Sequence, residues 1–355
     1  MRRPARSHHR IVLLAATLVA SLLWAHPSGA APVPATASSA GATARCRLDS
    51  ILRPTCGKVL TGAYVAPRAG ESWAASVQRY ERESSAPAQI VHFYQRGAEL
   101  FPTASEVAAL DVGGRRRILY SNWKPDVGYT WRQVADGAAD ASIRAEATYL
   151  KRHFRRKMFL SIHHEPENEV NASRGSGYTA ADYRAMFRHV EDVFDAEHVT
   201  NVVWVMNYMG FQNWVLEPWF DQLWPGRAYV DWIAYDPYLT SGIGGQDGGW
   251  PRLLDNYYGD TSFKGFFRWI RQHHPLKPVM LGEWGLGEKP GDPGWKARVL
   301  RRTAPFVAQH PRLKALVYFD NPQADAAGDV AIDTSGAALA AYRDFVGSAE
   351  VANIR

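Results

Sequence analysis

Two apolar runs end in carboxylates. The stretch "FLSIHHEPENEV", residues 159–170, opens like a buried strand and finishes in His163, His164, Glu165 and Glu167 around Pro166. The stretch "GEWG", residues 282–285, finishes another run in Glu283. Paired carboxylates suit acid–base work combined with nucleophilic attack. Retaining cleavage of a glycosidic bond needs one carboxyl to attack and another to protonate the leaving oxygen, with the two about 5–5.5 Å apart. A single glutamate at a strand end is as readily an ion-pair or helix-cap partner. The pair favours catalysis, with Gly282 and Gly285 expected to leave room for a substrate. Glu167 is a rival for the acid role, but it lies beyond Pro166.

Other chemistries fit less well. The histidines of "HHE" are neighbours on a strand and should point to opposite faces. They are poorly placed to share an ion, and no metal or other cofactor is expected. The sequence has no H-E-x-x-H, no G-x-S-x-G and no phosphate-binding glycine motif. No basic stripe interleaved with aromatics suggests nucleic acid.

The elements that must position Glu165 and Glu283 recur along the chain. Strand-like runs occupy 59–66, 89–95, 116–123, 157–165, 201–207, 229–238, 278–285 and 315–321. Helical spacing appears between several of them, as in "DASIRAEATYLKRHF" and "TAADYRAMFRHVEDVF", the latter with Thr179 as its N-cap. Eight strands alternating with helices predict a (β/α)8 TIM barrel forming a single domain over residues 46–350. An open doubly wound sheet would be expected to carry a glycine-rich first turn, which is absent. In such a barrel the active site lies at the C-terminal strand ends. Those ends are Gln95, Trp123, His164 with Glu165, Asn207, Asp236 with Tyr238, Glu283 with Trp284, and Asp320 with Asn321. Glu165 and Glu283 are the candidate catalytic residues. His164, Tyr238, Asp236, Asn207, Trp123 and Trp284 are the candidate substrate-binding residues. Some of Trp131, Trp214, Trp219, Trp224 and Trp250 are expected to stack on sugar faces.

The first thirty residues read as a signal peptide: a basic start, an apolar run and small residues before a cleavage site at Ala30. Residues 31–45, rich in Ala, Pro and Ser, read as a flexible linker. Loss of the four leader arginines lowers the formal charge from +6 to +2. The mature protein is expected to be secreted, free of the membrane and monomeric. In an oxidising compartment Cys46 and Cys56 should pair, tying down the start of the domain. The glycines of "TSGIGGQDGGW", 240–250, suggest a loop able to cover a cleft.

"IHHEPEN", "YVDWIAYDPY" and "GEWG" together resemble glycoside hydrolase family 26, the β-mannanase-type family in the large clan of retaining (β/α)8 glycosidases. "IVHFYQ" resembles its second strand, so the likeness runs from about residue 59 to 320. The resemblance implies that Glu165 is the acid/base, Glu283 the nucleophile, and Tyr238 the tyrosine that hydrogen-bonds the nucleophile. It also implies that His164 faces the site, which simple alternation would forbid. The strand must therefore break before Pro166, leaving His163 to pack against neighbours. Ser161 stands where many of these mannanases have arginine, "PENEV" replaces a tryptophan-rich segment, and "VYFDN" lacks the usual strand-8 tryptophan. The implied substrate is a β-linked polysaccharide, with β-1,4-mannan first and β-glucan, xylan or a bacterial exopolysaccharide as alternatives. A non-catalytic carbohydrate-binding barrel, or a transglycosylase with the same residues, is the competing reading.

Overall fold

The structure, a computed structural model, describes residues 45–240, 248–256, 262–323 and 328–354. The expected leader, nearly all of the linker, and residues 241–247 of the glycine-rich loop lie outside the described residues.

Eight parallel strands close into a barrel: β1 Leu60–Val65, β2 Ile90–Arg96, β3 Ile118–Lys124, β4 Met158–Ile162, β5 Val202–Tyr208, β6 Trp232–Tyr235, β7 Val279–Leu286 and β8 Leu313–Asp320. Each pairs with the next, and β8 returns to β1 through Leu60↔Ala315 and Val65↔Asp320. The sixth predicted run is not continuous. Asp236-Pro237 interrupts it, and a two-residue strand, Tyr238–Leu239, resumes alongside the end of β7. Proline brings no N–H to a ladder, which explains the break.

Alternation along the strands divides the core in two. Leu60, Ile90, Ile118, Phe159, Val205, Trp232, Met280 and Val317 fill the barrel interior. Their sequence neighbours pack outward against the helices, among them Leu119, Leu160, Ile233 and Leu281. The long helix Ala180–Ala196 shows how local signals serve this packing. Thr179 caps its start in a box with Asp182, and Tyr183, Met186, Phe187, Val190 and Phe194 face the barrel. The stretch 295–310, "WKARVLRRTAPFVAQH", has helical spacing throughout but folds as two segments, Trp295–Arg301 and Thr303–Ala308.

A short N-terminal loop plugs the lower end of the barrel. Cys46 and Cys56 form a disulfide across it. Asp49 accepts the backbone N–H groups of Ile51 and Arg53, and Trp232 Nε1 donates to Ile51 O at 2.7 Å. Leu52 and Cys46 join the interior cluster, with Ala352 beside them. The chain's end is held there too: Cys46 N donates to Asn353 O at 2.7 Å, and Val59 N to Glu350 O at 3.0 Å. No helix among the described residues is long and apolar enough to cross a membrane.

Candidate active site

The upper interior is polar. Above the apolar layer, the inward positions carry His92, Tyr94, Tyr120, Asn122, Ser161, Asn207 and Asp236. Glu283 lies at their rim, 7 % exposed. Its two oxygens are both occupied. Tyr94 donates its hydroxyl to Oε1 at 2.5 Å, and Tyr238 donates to Oε2 at 2.7 Å. Asp236 Oδ1 accepts the Glu283 backbone N–H at 2.9 Å, and Asn207 Nδ2 donates to Asp236 Oδ2 at 2.5 Å. Tyr120 completes the chain by donating to Asn207 Oδ1 at 2.6 Å.

Glu283 reaches this position through an irregularity. Met280 faces inward and Leu281 outward, so strict alternation would turn Glu283 away from the mouth. Between Leu281↔Leu316 and Trp284↔Tyr318 the register of β7 against β8 shifts by one residue. That bulge lets Gly282 and Glu283 both face the site and sends Trp284 outward. The glycines serve the protein itself. A Cβ on Gly282 would collide with Asn207 Oδ1 and lie 2.9 Å from Asp236 Oδ1, and one on Gly285 would press on the Tyr238 ring at 3.0 Å. The room expected for substrate at these two positions is taken by Asn207, Asp236 and Tyr238.

The end of β4 departs from strand geometry as well. His163 and Glu165 both have left-handed backbones, with φ of 49° and 53°. Pro166 then starts a short 3-10 turn, Pro166–Glu169. His163 N donates to Trp123 O at 2.7 Å, and Glu165 N donates to Asn207 O at 3.0 Å, so the turn is pinned to both neighbouring strands. The break turns His163 outward against Trp131, and it directs His164 and Glu165 to the mouth. His164 Nε2 lies 3.9 Å from Glu283 Oε1, and its ring leans on Tyr94 with centroids 5.3 Å apart.

The two glutamates have different surroundings. Loss of water raises Glu165 well above the usual carboxylate range, and the negative Glu283 and Glu167 raise it further. Asp236 is buried beside both glutamates, its own carboxyl raised by lost hydration and by the charges of Glu283 and Glu165, and it accepts the Glu283 backbone N–H. Burial raises Glu283 also, but the two tyrosine hydroxyls oppose the shift by favouring its anion. Burial and nearby positive charge pull His164 down to about 3, leaving a neutral imidazole. The arrangement can hold one carboxyl protonated and another ionised at neutral pH.

The structure brings together Glu165, Glu283, His164, Tyr238, Asp236 and Asn207. Trp123 and Trp284 stand apart. Trp123 is buried between barrel and helices against Phe101 and Phe194, with Nε1 donating to Gly97 O. Trp284 is buried against Trp250 and Tyr318. Both occupy outward positions, so they are core residues rather than wall of the cleft. Gln95 points outward to Glu106, and Asp320 to Arg79. Among the loop tryptophans, Trp131 and Trp250 are buried, while Trp214, Trp219 and Trp224 are half-buried. Glu167 is engaged elsewhere. Its oxygens accept the N–H groups of Met209 and Gly210, both at 3.0 Å, which fastens the β5 loop, and burial pushes it up to about 7.

Tyr94 was not anticipated from sequence, nor were Tyr64 and Phe319, whose half-buried rings stack 4.8 Å apart beside it. Counting inward parity from Gly62, Ile90 and Val317, rather than taking the last residue of each run, would have found all three. A compact histidine–carboxylate set also exists where none was expected. Donor atoms of Asp126, His163 and Glu169 lie within 4.8 Å of one another. The Lys124 ammonium already bonds Glu169 there.

No family model matches the chain. Endoglucanase H of Acetivibrio thermocellus is 26% identical over 294 residues, covering 81% of this chain but only 30% of that protein. The crystal structure of a ruminal GH26 endo-β-1,4-mannanase superposes with a TM-score of 0.57 at 15% identity, over 84% of this chain and 64% of that one. A β-mannanase from a symbiotic protist of the termite Reticulitermes speratus, complexed with gluco-manno-oligosaccharide, gives 0.54 at 16% identity, over 84% and 90%. The catalytic domain of a Bacillus sp. JAMB-750 GH26 endo-β-1,4-mannanase gives 0.54 at 15% identity, over 84% and 88%. The chain has the same (β/α)8 barrel fold as these GH26 mannanases.

Proposed function

We propose that this chain is a secreted retaining glycoside hydrolase that cleaves a β-linked polysaccharide, with β-1,4-mannan as the leading substrate. The observation that carries this reading is the unequal treatment of two facing carboxylates. Glu283 holds a tyrosine hydroxyl on each oxygen. Glu165 has no such pair of hydroxyls and is raised by lost hydration and by its neighbours' charge. The mannanase fold and the endoglucanase similarity support the β-glycan class.

In this mechanism Glu283 attacks the anomeric carbon while Glu165 gives its proton to the leaving oxygen. A covalent glycosyl–enzyme results, and the negative charge of Glu283 is spent in the new bond. That removes the field raising Glu165, whose carboxylate then takes a proton from water as the water attacks the same carbon. Tyr94 and Tyr238 hold the attacking carboxylate in one orientation. Neutral His164 offers a ring nitrogen between Glu283 and the bound sugar.

The test is to assay Glu165→Ala and Glu283→Ala on mannan, mixed-linkage β-glucan, xylan and bacterial exopolysaccharide, with product sizes read out. Loss of the nucleophile should lower kcat at least about 10⁴-fold. Loss of the acid/base should lower it about 10²–10⁴-fold. Undiminished turnover by both variants, on a substrate the wild type cleaves, would refute the assignment. Failure of the wild type on every polymer would favour the carbohydrate-binding reading.

A further inference from the structure

His163 is fully buried, yet a carboxylate flanks each of its ring nitrogens. Its Nδ1 lies 3.0 Å from Asp126 Oδ1, and its Nε2 lies 3.2 Å from Glu169 Oε2. Asp126 belongs to the loop after β3, whereas Glu169 ends the turn that follows Pro166. The ring therefore spans the two sides of the segment that presents His164 and Glu165. Trp131 and Tyr183 close over it edge-on, with centroids 5.1 and 6.3 Å away. Lys124 bonds the other oxygen of Glu169. A metal ion would fit the spacing of Asp126, His163 and Glu169, but Lys124 already supplies positive charge at that spot. Burial pulls the imidazole down, and the carboxylates of Asp126 and Glu169 outweigh it, so the ring is held above its ordinary value. Nδ1 is within hydrogen-bond distance of Asp126 and also faces the Trp131 indole N–H at 3.3 Å, while Nε2 lies beside Glu169 without a hydrogen bond.

The backbone explains why such a clamp is needed. His163 and Glu165 both occupy the left-handed region, which non-glycine residues avoid. Such strain persists only where the surroundings over-determine it. Two backbone hydrogen bonds fix the start and end of this turn to β3 and β5. Beyond Pro166 the loop is held by Glu167 on the Met209 and Gly210 N–H groups, by Lys124 on Glu169, and by the His163 ring lodged between Asp126 and Glu169.

We propose that His163 is a positioning residue for Glu165: bridging Asp126 and Glu169, it locks the left-handed turn that aims the acid/base at the leaving oxygen. This rests on the reading of Glu165 as acid/base. His163 itself touches no substrate. Its ring packs behind the mouth, and its effect passes through the backbone of His164 and Glu165.

The experiment compares two probes on the full chain, dinitrophenyl and phenyl β-mannobioside. Their leaving groups differ in the help they need from a proton donor, and kcat/KM reports the bond-breaking step alone. His163→Gln should lower kcat/KM at least about tenfold for the phenyl glycoside and less than about threefold for the dinitrophenyl one, as a displaced general acid would. Asp126→Asn should show the same pattern more weakly, and it carries the test if His163→Gln does not fold. An equal fall on both probes means a merely structural role and overturns the proposal, as does no fall on either. Glu165→Gln on the same probes separates the two levels of argument. If it fails to discriminate between leaving groups, the acid/base reading is wrong. If it discriminates and His163→Gln does not, only the positioning role is wrong.

Discussion

The two ends of the barrel are built on opposite principles. At the lower end, Leu60, Ile90, Ile118, Phe159, Trp232 and Met280 interdigitate, and the Cys46–Cys56 loop closes over them. At the upper end, the same strands carry His92, Asn122, Ser161, Asn207 and Asp236. Buried polar atoms without a hydrogen-bond partner gather there: both nitrogens of His92, both amide atoms of Asn122, Ser161 Oγ and His164 Nδ1. So do the left-handed His163 and Glu165. A buried polar group without a partner costs about 1–3 kcal/mol, and backbone strain adds to it. One strand, β4, runs from Phe159 in the first region to Ser161 in the second within two residues. The contrast teaches that the apolar end stabilises the molecule while the polar end destabilises it and holds the chemistry.

Core truncation tests that contrast most severely. Phe159 is wholly buried and meets Trp232 edge-on with centroids 5.2 Å apart. Phe159→Ala should cost about 3–5 kcal/mol in denaturant unfolding, through lost burial and an unfilled cavity. Turnover per folded molecule should hold within about threefold. If turnover collapsed while the molecule stayed folded, the two ends would not be separable.

The disulfide gives the next effect. It closes a loop of sequence separation 10, for which constraint of the unfolded chain is worth about 3 kcal/mol. Replacing Cys46 and Cys56 by serine should lower the unfolding free energy by that amount and leave kcat and KM unchanged. A change in KM would show that the plug reaches the mouth.

The two ends were also unequally legible in the sequence. The strands and their apolar interiors follow from local patterning, so eight runs and the intervening helices could be read directly. Glu165 and Glu283 could be found because carboxylates ending apolar runs are unusual. The direction of each side chain at the mouth was harder, since it depends on departures from alternation. The β7 bulge brings Glu283 inward and expels Trp284. The turn at His163 exchanges the roles of His163 and His164. Trp123 was misplaced for a different reason: its strand is regular, but the last residue of a run is as often outward as inward. The set of Asp126, His163 and Glu169 joins two separate loops, so no linear motif could announce it.

The smallest expected effect is the most direct measure of what the polar end costs. Glu165 is raised by lost hydration and by the Glu283 charge. Between its unfolded and folded pKa values, the folded protein holds a proton that the unfolded chain has released, so stability falls as pH rises through that window. Above the folded value the penalty is complete. Glutamine keeps the shape of the side chain, but it does not titrate. Glu165→Gln should therefore match the wild type in unfolding free energy at pH 4. At pH 8 it should exceed the wild type by about 0.5–2 kcal/mol, within the usual range for relieving a functional site. Its turnover of polysaccharide should meanwhile fall about 10²–10⁴-fold. A variant no more stable than the wild type at pH 8 would mean that Glu165 is not strained by its neighbours, and the unequal electrostatics of the two glutamates would need another basis.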